Sequence, residues 1–289
     1  MSAESRDRVR VDERAWHEEL FRERSNAELV VSDAIRRRYL QVHGRARFGL
    51  ERMFQLVGDV RGKRMLIVGC GDANTTVLMA LKGAEVWATD ISLEAAKIQE
   101  RMAQANGMQE HIHVAVCGAE ELPFPADSFD IVFGSAVLHH LPDHLAAVSS
   151  EVGRVTRDGG FALFSEPVAR SPFLQRIRRL FPPPHISPGE RQLTDADLEQ
   201  LVEGFTAELL PYGLVSRLTY FIGRKPLENA SILRRAFVRA LHWSDYCLFK
   251  VSVFDRFAGG VTIKMRTKKA PPPIVDTSVE RKCAGLQAS

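Results

Sequence analysis

Residues 65–74 read MLIVGCGDAN, four apolar residues running into a turn made of Gly69, Cys70, Gly71, Asp72, Ala73 and Asn74. A short apolar run bounded by turn residues is the pattern of a buried strand. Glycines where a strand hands over to a helix let the backbone approach a ligand closely. Residues 77–83 (VLMALKG) then read as a helix stopped at Gly83. Working outward, 84–90 (AEVWATD) predicts a second strand ending on Asp90, and 91–107 a helix with Ser92 as N-cap and Gly107 at its end. Residues 112–118 (IHVAVCG), 129–136 (FDIVFGSA) and 159–167 (GGFALFSEP) supply three more strands, with a crossover helix over 144–156. Short strands alternating with helices predict an α/β fold around a parallel sheet.

The flanks read differently. Up to about residue 60, Trp16, Leu20, Phe21, Tyr39, Phe48, Leu50, Phe54 and Val57 recur near helical spacing among charges, which predicts a polar-faced helical lead-in. After Pro167, FLQRIRRLF (173–181) carries Phe173, Leu174, Ile177, Leu180 and Phe181 on one side and Arg176, Arg178 and Arg179 on the other. A Pro-rich stretch that cannot be regular helix follows. Then come a helix over 193–205 capped near Thr194, a bent strand over 206–221 interrupted by Pro211, a helical aromatic stretch over 227–257 and an alternating strand over 259–269. The expected division is a lead-in over 1–60, a core over 61–168, lid or cap insertions with the last two strands over 169–268, and a disordered tail over 269–289.

With 289 residues, 45% hydrophobic and 26% charged, the chain can bury a sizeable core, and collagen-like and disulfide-scaffold classes are excluded. A formal charge of +3 is too small for a dedicated nucleic-acid face. Cys70, Cys117, Cys247 and Cys283 form no C-x-x-C pair and have no zinc-finger spacing, so free thiols in a reducing cytoplasm are expected. No apolar run approaches the roughly 18 residues needed to span a bilayer. The mixed Arg and Glu of the N-terminus lacks the apolar core of a secretory signal.

Asp90 ends the second strand roughly 20 residues beyond the glycines, where nucleoside-binding folds hold a ribose diol with a carboxylate. An acid there also favours the dipole of the following helix, and both roles can coexist. A lone G-x-G turn is a weak signal, since many α/β domains use one without a ligand. A nicotinamide-dependent oxidoreductase shares strand, turn and acid, but its fingerprint needs a small residue at the sixth place of G-x-G-x-x-G, where this chain has Asn74.

Several blocks, in order, resemble the class I S-adenosylmethionine-dependent methyltransferases, in particular the bacterial group related to ubiquinone and menaquinone biosynthesis. LIVGCGDANT resembles the glycine motif and ATDIS the acidic ribose motif. GAEELPFPADSFDIVFGSAVLHHLPD resembles the central signature, and EVGRVTRDGGFALFSEP the block through the fifth strand, so the likeness covers about residues 64–167. It implies a Rossmann-like seven-stranded methyltransferase sheet with helical N-terminal and C-terminal cap insertions. The sheet would end in an antiparallel pairing of residues 208–220 with 261–266. It also implies S-adenosyl-L-methionine as cofactor: Gly69, Cys70 and Gly71 beside it, Asp90 on the ribose, Ile91 packed on the adenine, Ala119 and Glu120 at the adenine edge, and Ser135 near the methionine portion. Three residues depart from the family. Ile67 stands where an acid is usual, Ala73 replaces a glycine, and Gly118 replaces a common Asp, so that adenine binding would lean on backbone groups and Glu120. The alternative of a non-catalytic cofactor-binding or scaffold protein rests on these departures.

A methyl group on a sulfonium is already electrophilic. The protein must therefore place an acceptor in line, exclude water and, where needed, remove a proton, and no catalytic metal is required. His139 and His140 follow the fourth strand and Glu166 ends the fifth, at the carboxyl ends of strands where open α/β sheets bind ligands. The expectation is that His140, helped by Glu166, orients or deprotonates an acceptor hydroxyl or amine, with His139 as the neighbouring candidate. The plainer reading is that these side chains cap backbone. The 173–181 segment suits a lid over an apolar acceptor, a helix packed on its own domain, or a helix lying on anionic lipid. Phe205, Tyr212, Phe221, Trp243, Tyr246, Phe249 and Phe254 either line an acceptor pocket or form the core of the insertions. The expected acceptor is a small hydrophobic or aromatic metabolite, methylated on oxygen, nitrogen or carbon, and not a nucleic acid.

Overall fold

The computed structural model of the chain describes residues 3–23, 29–41, 49–180, 186–221 and 231–267. The tail over 269–289, Phe48, Phe181, the prolines 182–184 and the start of the 227–257 stretch lie outside the described residues.

Strand β1 (Arg64–Val68) sits at the centre of a seven-stranded sheet, parallel to β2 (Glu85–Asp90) on one side and to β4 (Phe129–Ser135) on the other. Beyond β2 lies β3 (Ile112–Val116), and beyond β4 lies β5 (Thr156–Pro167), both parallel to their neighbours. β7 (Gly260–Thr267) enters antiparallel between β5 and the edge strand β6 (Phe205–Tyr212), giving the order β3-β2-β1-β4-β5-β7-β6. Chain order reverses at β1, and in open α/β sheets such a reversal opens a crevice at the carboxyl ends of the strands.

The apolar run of β1 is continuous because both faces of the sheet are covered. Met65 and Ile67 face one core with Met53, Leu78, Met79 and Ile98, while Leu66 and Val68 face the other with Phe129, Val148, Val152 and Phe164. This follows from the two-residue period of a strand buried on both sides. Helices α4 (Thr75–Leu81), α5 (Leu93–Ala105) and α6 (Leu145–Val155) are the crossovers. Ser92 caps α5 as expected, its Oγ accepting from the Ala95 N–H at 3.2 Å. The lead-in comprises α1 (Ala3–Glu23), α2 (Asp33–Leu40) and α3 (Leu50–Leu56). Among the described residues, no helix is long and apolar enough to cross a membrane.

The bent strand expected over 206–221 is a correction. β6 ends at Tyr212, paired with Gly260, the first residue of β7, and residues 216–221 form a 3-10 turn instead. Gly213 takes a φ of +81°, and the buried carboxylate of Asp245 accepts from the N–H groups of Gly213, Val215 and Ser216, pulling the chain off the sheet. Pro211 does not break the strand, because β6 is an edge, where a missing N–H is tolerated. β5 starts three residues earlier than expected, at Thr156 directly after α6, with its pairing to β4 irregular between Phe129 and Ile131.

Between β5 and β6 lie α7 (Pro172–Leu180) and α8 (Asp195–Val202); α9 (Ile232–Leu248) follows β6. Thr194 and Asp197 form a reciprocal capping box at the start of α8. Arg191 donates to Asp197 Oδ1 at 2.9 Å, and its own N–H donates to the carbonyl of His139, tying this segment to the end of β4. The Arg191 guanidinium and the Thr194 donors hold the Asp197 carboxyl down to about 2. A carboxylate whose folded value lies below its unfolded one contributes stability above the unfolded value, near 3.8, and loses it as the pH falls toward the folded one. The stability gap between the wild type and Asp197→Asn, read from urea midpoints, is therefore expected to be constant above pH about 4 and to close below it. A gap that does not change with pH would contradict this.

Candidate active site

One crevice of about 380 Å³ opens at the carboxyl ends of β1, β2 and β4. Gly69, Cys70, Gly71, Asp90, Ile91, Ala119, Glu120 and Ser135 all line it, together with His140. The sequence-expected cofactor residues therefore meet in one place. His139 and Glu166 do not line it.

The glycine turn is held tightly. Gly69 has φ +65°, and a Cβ added to it would sit 2.8 Å from Val137 Cβ and overlap that side chain's Cγ2. Gly71 has φ +50° and donates its N–H to Asp90 Oδ2 at 2.9 Å, while Ser92 N–H donates to Oδ1 at 3.0 Å. Burial pushes the Asp90 carboxyl above the usual range, against the opposing pull of these N–H groups. Each carboxylate oxygen can still accept from a ligand, having two lone pairs. Ala136, at the mouth of the crevice, has φ +57°, a left-handed conformation that costs a non-glycine residue about 1–2 kcal/mol. Burial raises the Cys70 thiol well above its ordinary value and pushes the Cys117 thiol up to about 11, so neither is a ready nucleophile.

The three departures each have a structural setting. Ile67 lies in the core rather than on the crevice. Ala73 keeps a negative φ. At Gly118 an added Cβ would come within 2.8 Å of Glu120 Oε1, so the absence of a side chain there leaves room for the Glu120 carboxylate. Arg10 Nε lies 2.7 Å from Glu120 Oε1 without hydrogen-bond geometry, and neither Glu120 oxygen has a hydrogen-bond partner although both are buried.

The two histidines, with ring centroids 4.2 Å apart, differ in their partners. Glu166, fully buried, accepts from the N–H groups of Val137 and Leu138 and pairs with His139 Nδ1 at 2.8 Å. It holds the turn after β4, and the expected help from Glu166 to His140 is not what its contacts provide. His140 instead has Nδ1 2.8 Å from Ser187 Oγ, and Ser187 Oγ–H donates to Glu13 Oε1 at 2.6 Å. Because the Ser187 proton goes to Glu13, His140 Nδ1 is the donor to Ser187, which leaves Nε2 as the unprotonated nitrogen of the neutral ring. Burial would raise the Glu13 carboxyl, but bonds from His140, His17, Ser187 and the Gly189 N–H outweigh it and hold the carboxyl well below the usual range.

Sequence reasoning missed α1 as a wall of this crevice. Val9, Arg10, Glu13, His17 and Phe21 all line it. Glu18 fixes the helix by accepting from Leu93 N–H at 2.6 Å and Glu94 N–H at 3.1 Å, two donors left free at the start of α5. The only available signal was the 13, 17, 21 spacing, which places Glu13, His17 and Phe21 on one helical face. Glu13, His17 and His140 also bring ligand-capable atoms within 4.8 Å of one another. The proton that His140 Nδ1 gives to Ser187 occupies the nitrogen nearest Glu13, so this arrangement presents a hydrogen-bond chain rather than a set of free metal ligands.

No described side chain of α7 lines the crevice, nor do Phe205, Tyr212, Trp243, Tyr246, Phe249 or Phe254. Phe205 and Phe249 belong to the core, and Tyr212 hydroxyl meets Ser165 Oγ at 2.9 Å. The side chain of Phe221 lies outside the described residues.

Residues 66–164 match a family model described as a methyltransferase domain. These residues form a methyltransferase domain. The chain is 34% identical over 124 residues to demethylmenaquinone methyltransferase of Geobacillus stearothermophilus, covering 42% of this chain and 51% of that one. It is 30% identical over 154 residues to an uncharacterised methyltransferase, YcgJ, of Bacillus subtilis, covering 52% of this chain and 57% of that one. The chain thus spans about half the length of the curated relatives it matches. A solved S-adenosylmethionine-dependent methyltransferase from Methanosarcina mazei shares the fold at TM-score 0.53, with 20% identity, over 77% of this chain and 100% of that one.

Proposed function

We propose that this chain transfers a methyl group from S-adenosylmethionine to an oxygen, nitrogen or carbon of a small lipophilic or aromatic metabolite. The observation that carries this reading is the convergence, in one crevice at the sheet's reversal point, of the glycine turn, the Asp90 and Glu120 carboxylates and His140. The lining fits the cofactor. The Asp90 carboxylate would accept the ribose diol. Glu120, buried with both oxygens lacking a hydrogen-bond partner, would accept the adenine amino group, and Ser135 and the 69–71 turn would meet the methionine end. The Arg10 guanidinium, 2.7 Å from Oε1, offsets the cost of burying this carboxylate, and Oε2 is left to take a donor.

When bound, the cofactor supplies an electrophilic methyl carbon on a sulfonium. His140 Nε2 would accept the proton of an acceptor hydroxyl or amine held in the crevice, leaving the heteroatom free to take the methyl group. Ser187 and Glu13 hold the imidazole in the tautomer that permits this. α1 forms one wall of the crevice and would limit the access of water to it.

A panel of lipophilic phenols, quinols and amines, screened for release of S-adenosylhomocysteine, would test the reading. With an acceptor found, His140→Ala is expected to lower turnover about a hundredfold or more while leaving S-adenosylhomocysteine affinity unchanged. Unchanged turnover would remove His140 from the mechanism.

A further inference from the structure

α9 is amphipathic in an unusual sense, being anchored on one side and apolar on the side facing solvent. Val238, Leu241 and Asp245 are buried, and Asp245 binds the 213–216 loop through three backbone N–H groups and the Ser216 hydroxyl. At 100° per residue, Ile232, Leu233, Ala236, Phe237, Ala240 and Trp243 fall within one arc of about 140°. That arc faces water: Ile232 is 76% exposed, Leu233 83%, Phe237 53% and Trp243 57%. Large apolar side chains exposed together on one helical face mark an interaction surface rather than ordinary surface scatter. The apolar character continues past the helix into Val251 and Val253, both exposed, in a turn that packs against α7, whose Phe173 and Leu180 are exposed in turn.

The charge around this face is one-sided. Residues 231–257 carry Arg234, Arg235, Arg239, Lys250 and Arg256 against only Asp245 and Asp255, and Asp245 is buried. By the same helical arithmetic Arg235 and Arg239 border the apolar arc on one edge. An apolar face edged by arginine, with an aromatic among its apolar residues, suits the boundary between lipid headgroups and acyl chains. A second copy of the chain is a poorer occupant, because a self-complementary contact would bring the same arginines toward one another.

We propose that the outer face of α9, continued by the 251–253 turn and α7, docks on an anionic lipid bilayer, inserting Leu233, Phe237 and Trp243 at headgroup depth. Docking there would let a lipophilic acceptor reach the protein without crossing water. That consequence rests on the methyl-transfer reading; the docking itself does not, and neither cofactor nor turnover enters its test.

The test is sedimentation of the full chain with vesicles of phosphatidylcholine alone and of phosphatidylcholine with phosphatidylglycerol, at low and high salt. The wild type is expected to bind the anionic vesicles, less so at high salt, with a blue shift of tryptophan fluorescence that Trp243→Phe abolishes. The Arg235→Glu, Arg239→Glu pair and the Leu233→Glu, Phe237→Glu pair are each expected to weaken binding by at least about tenfold. All four positions are exposed, and an unchanged circular dichroism spectrum and urea midpoint check that the variants fold. Absence of binding to anionic vesicles, binding indifferent to both pairs of substitutions, or a wild-type dimer that Leu233→Glu with Phe237→Glu converts to monomer would each overturn the proposal.

Discussion

Gly69→Ala is expected to lower the unfolding free energy by about 2–5 kcal/mol, a large fraction of the 5–15 kcal/mol that holds a typical domain folded. Two independent costs combine. The φ of +65° at this position is strained for any residue with a Cβ, by about 1–2 kcal/mol. The added methyl would also overlap Val137, whose N–H is fixed by Glu166 and which therefore cannot simply move away. Overpacking of that kind costs about 1–3 kcal/mol. A second substitution separates them: Gly69→Ala with Val137→Gly should relieve the overlap with both Cγ2 and Cβ and leave the φ strain. Urea unfolding of the wild type and the two variants checks this. A Gly69→Ala protein as stable as the wild type would show that the turn is looser than described.

Asp90→Ala is expected to weaken S-adenosylhomocysteine binding about 10- to 100-fold. A hydrogen bond to a charged group contributes about 1.5–3 kcal/mol, and the ribose diol offers two donors. The substitution also removes the acceptor for the Gly71 and Ser92 N–H groups, so the turn that meets the ligand loses its brace. Asp90→Asn, which keeps one acceptor, should fall between. Calorimetry on both variants reads the effect, and wild-type affinity in Asp90→Ala would remove the carboxylate from the site.

Much of this was legible in the sequence, for physical reasons. β1 is buried on both faces and so appears as an unbroken apolar run, β2 and β4 keep short apolar stretches flanked by polar residues, and the α5 cap at Ser92 is written in local residue types. The spacing from Gly71 to Asp90 is set by one helix and one strand, which makes it readable without a structure. His139 and His140 were not separable, since their rings lie side by side, centroids 4.2 Å apart, and differ only in that Glu166 captures one and Ser187 the other, from 27 and 47 residues away. The part played by α1 was hidden for the same reason. Its contacts with Ser187, Gly189, Glu120 and the start of α5 are made by side chains distant in sequence, and nothing local marks Glu13 as an inward-facing residue. The end of β6 escaped because the Pro211 signal dominated the reading, whereas the chain actually leaves the sheet at Gly213 under the pull of Asp245.

Calorimetric titration of the wild-type chain with S-adenosylhomocysteine, with NADH titrated in parallel, tests the central claim most directly. The account predicts one-to-one binding of S-adenosylhomocysteine and no heat from NADH. No S-adenosylhomocysteine binding by folded protein, or NADH binding in its place, would contradict it.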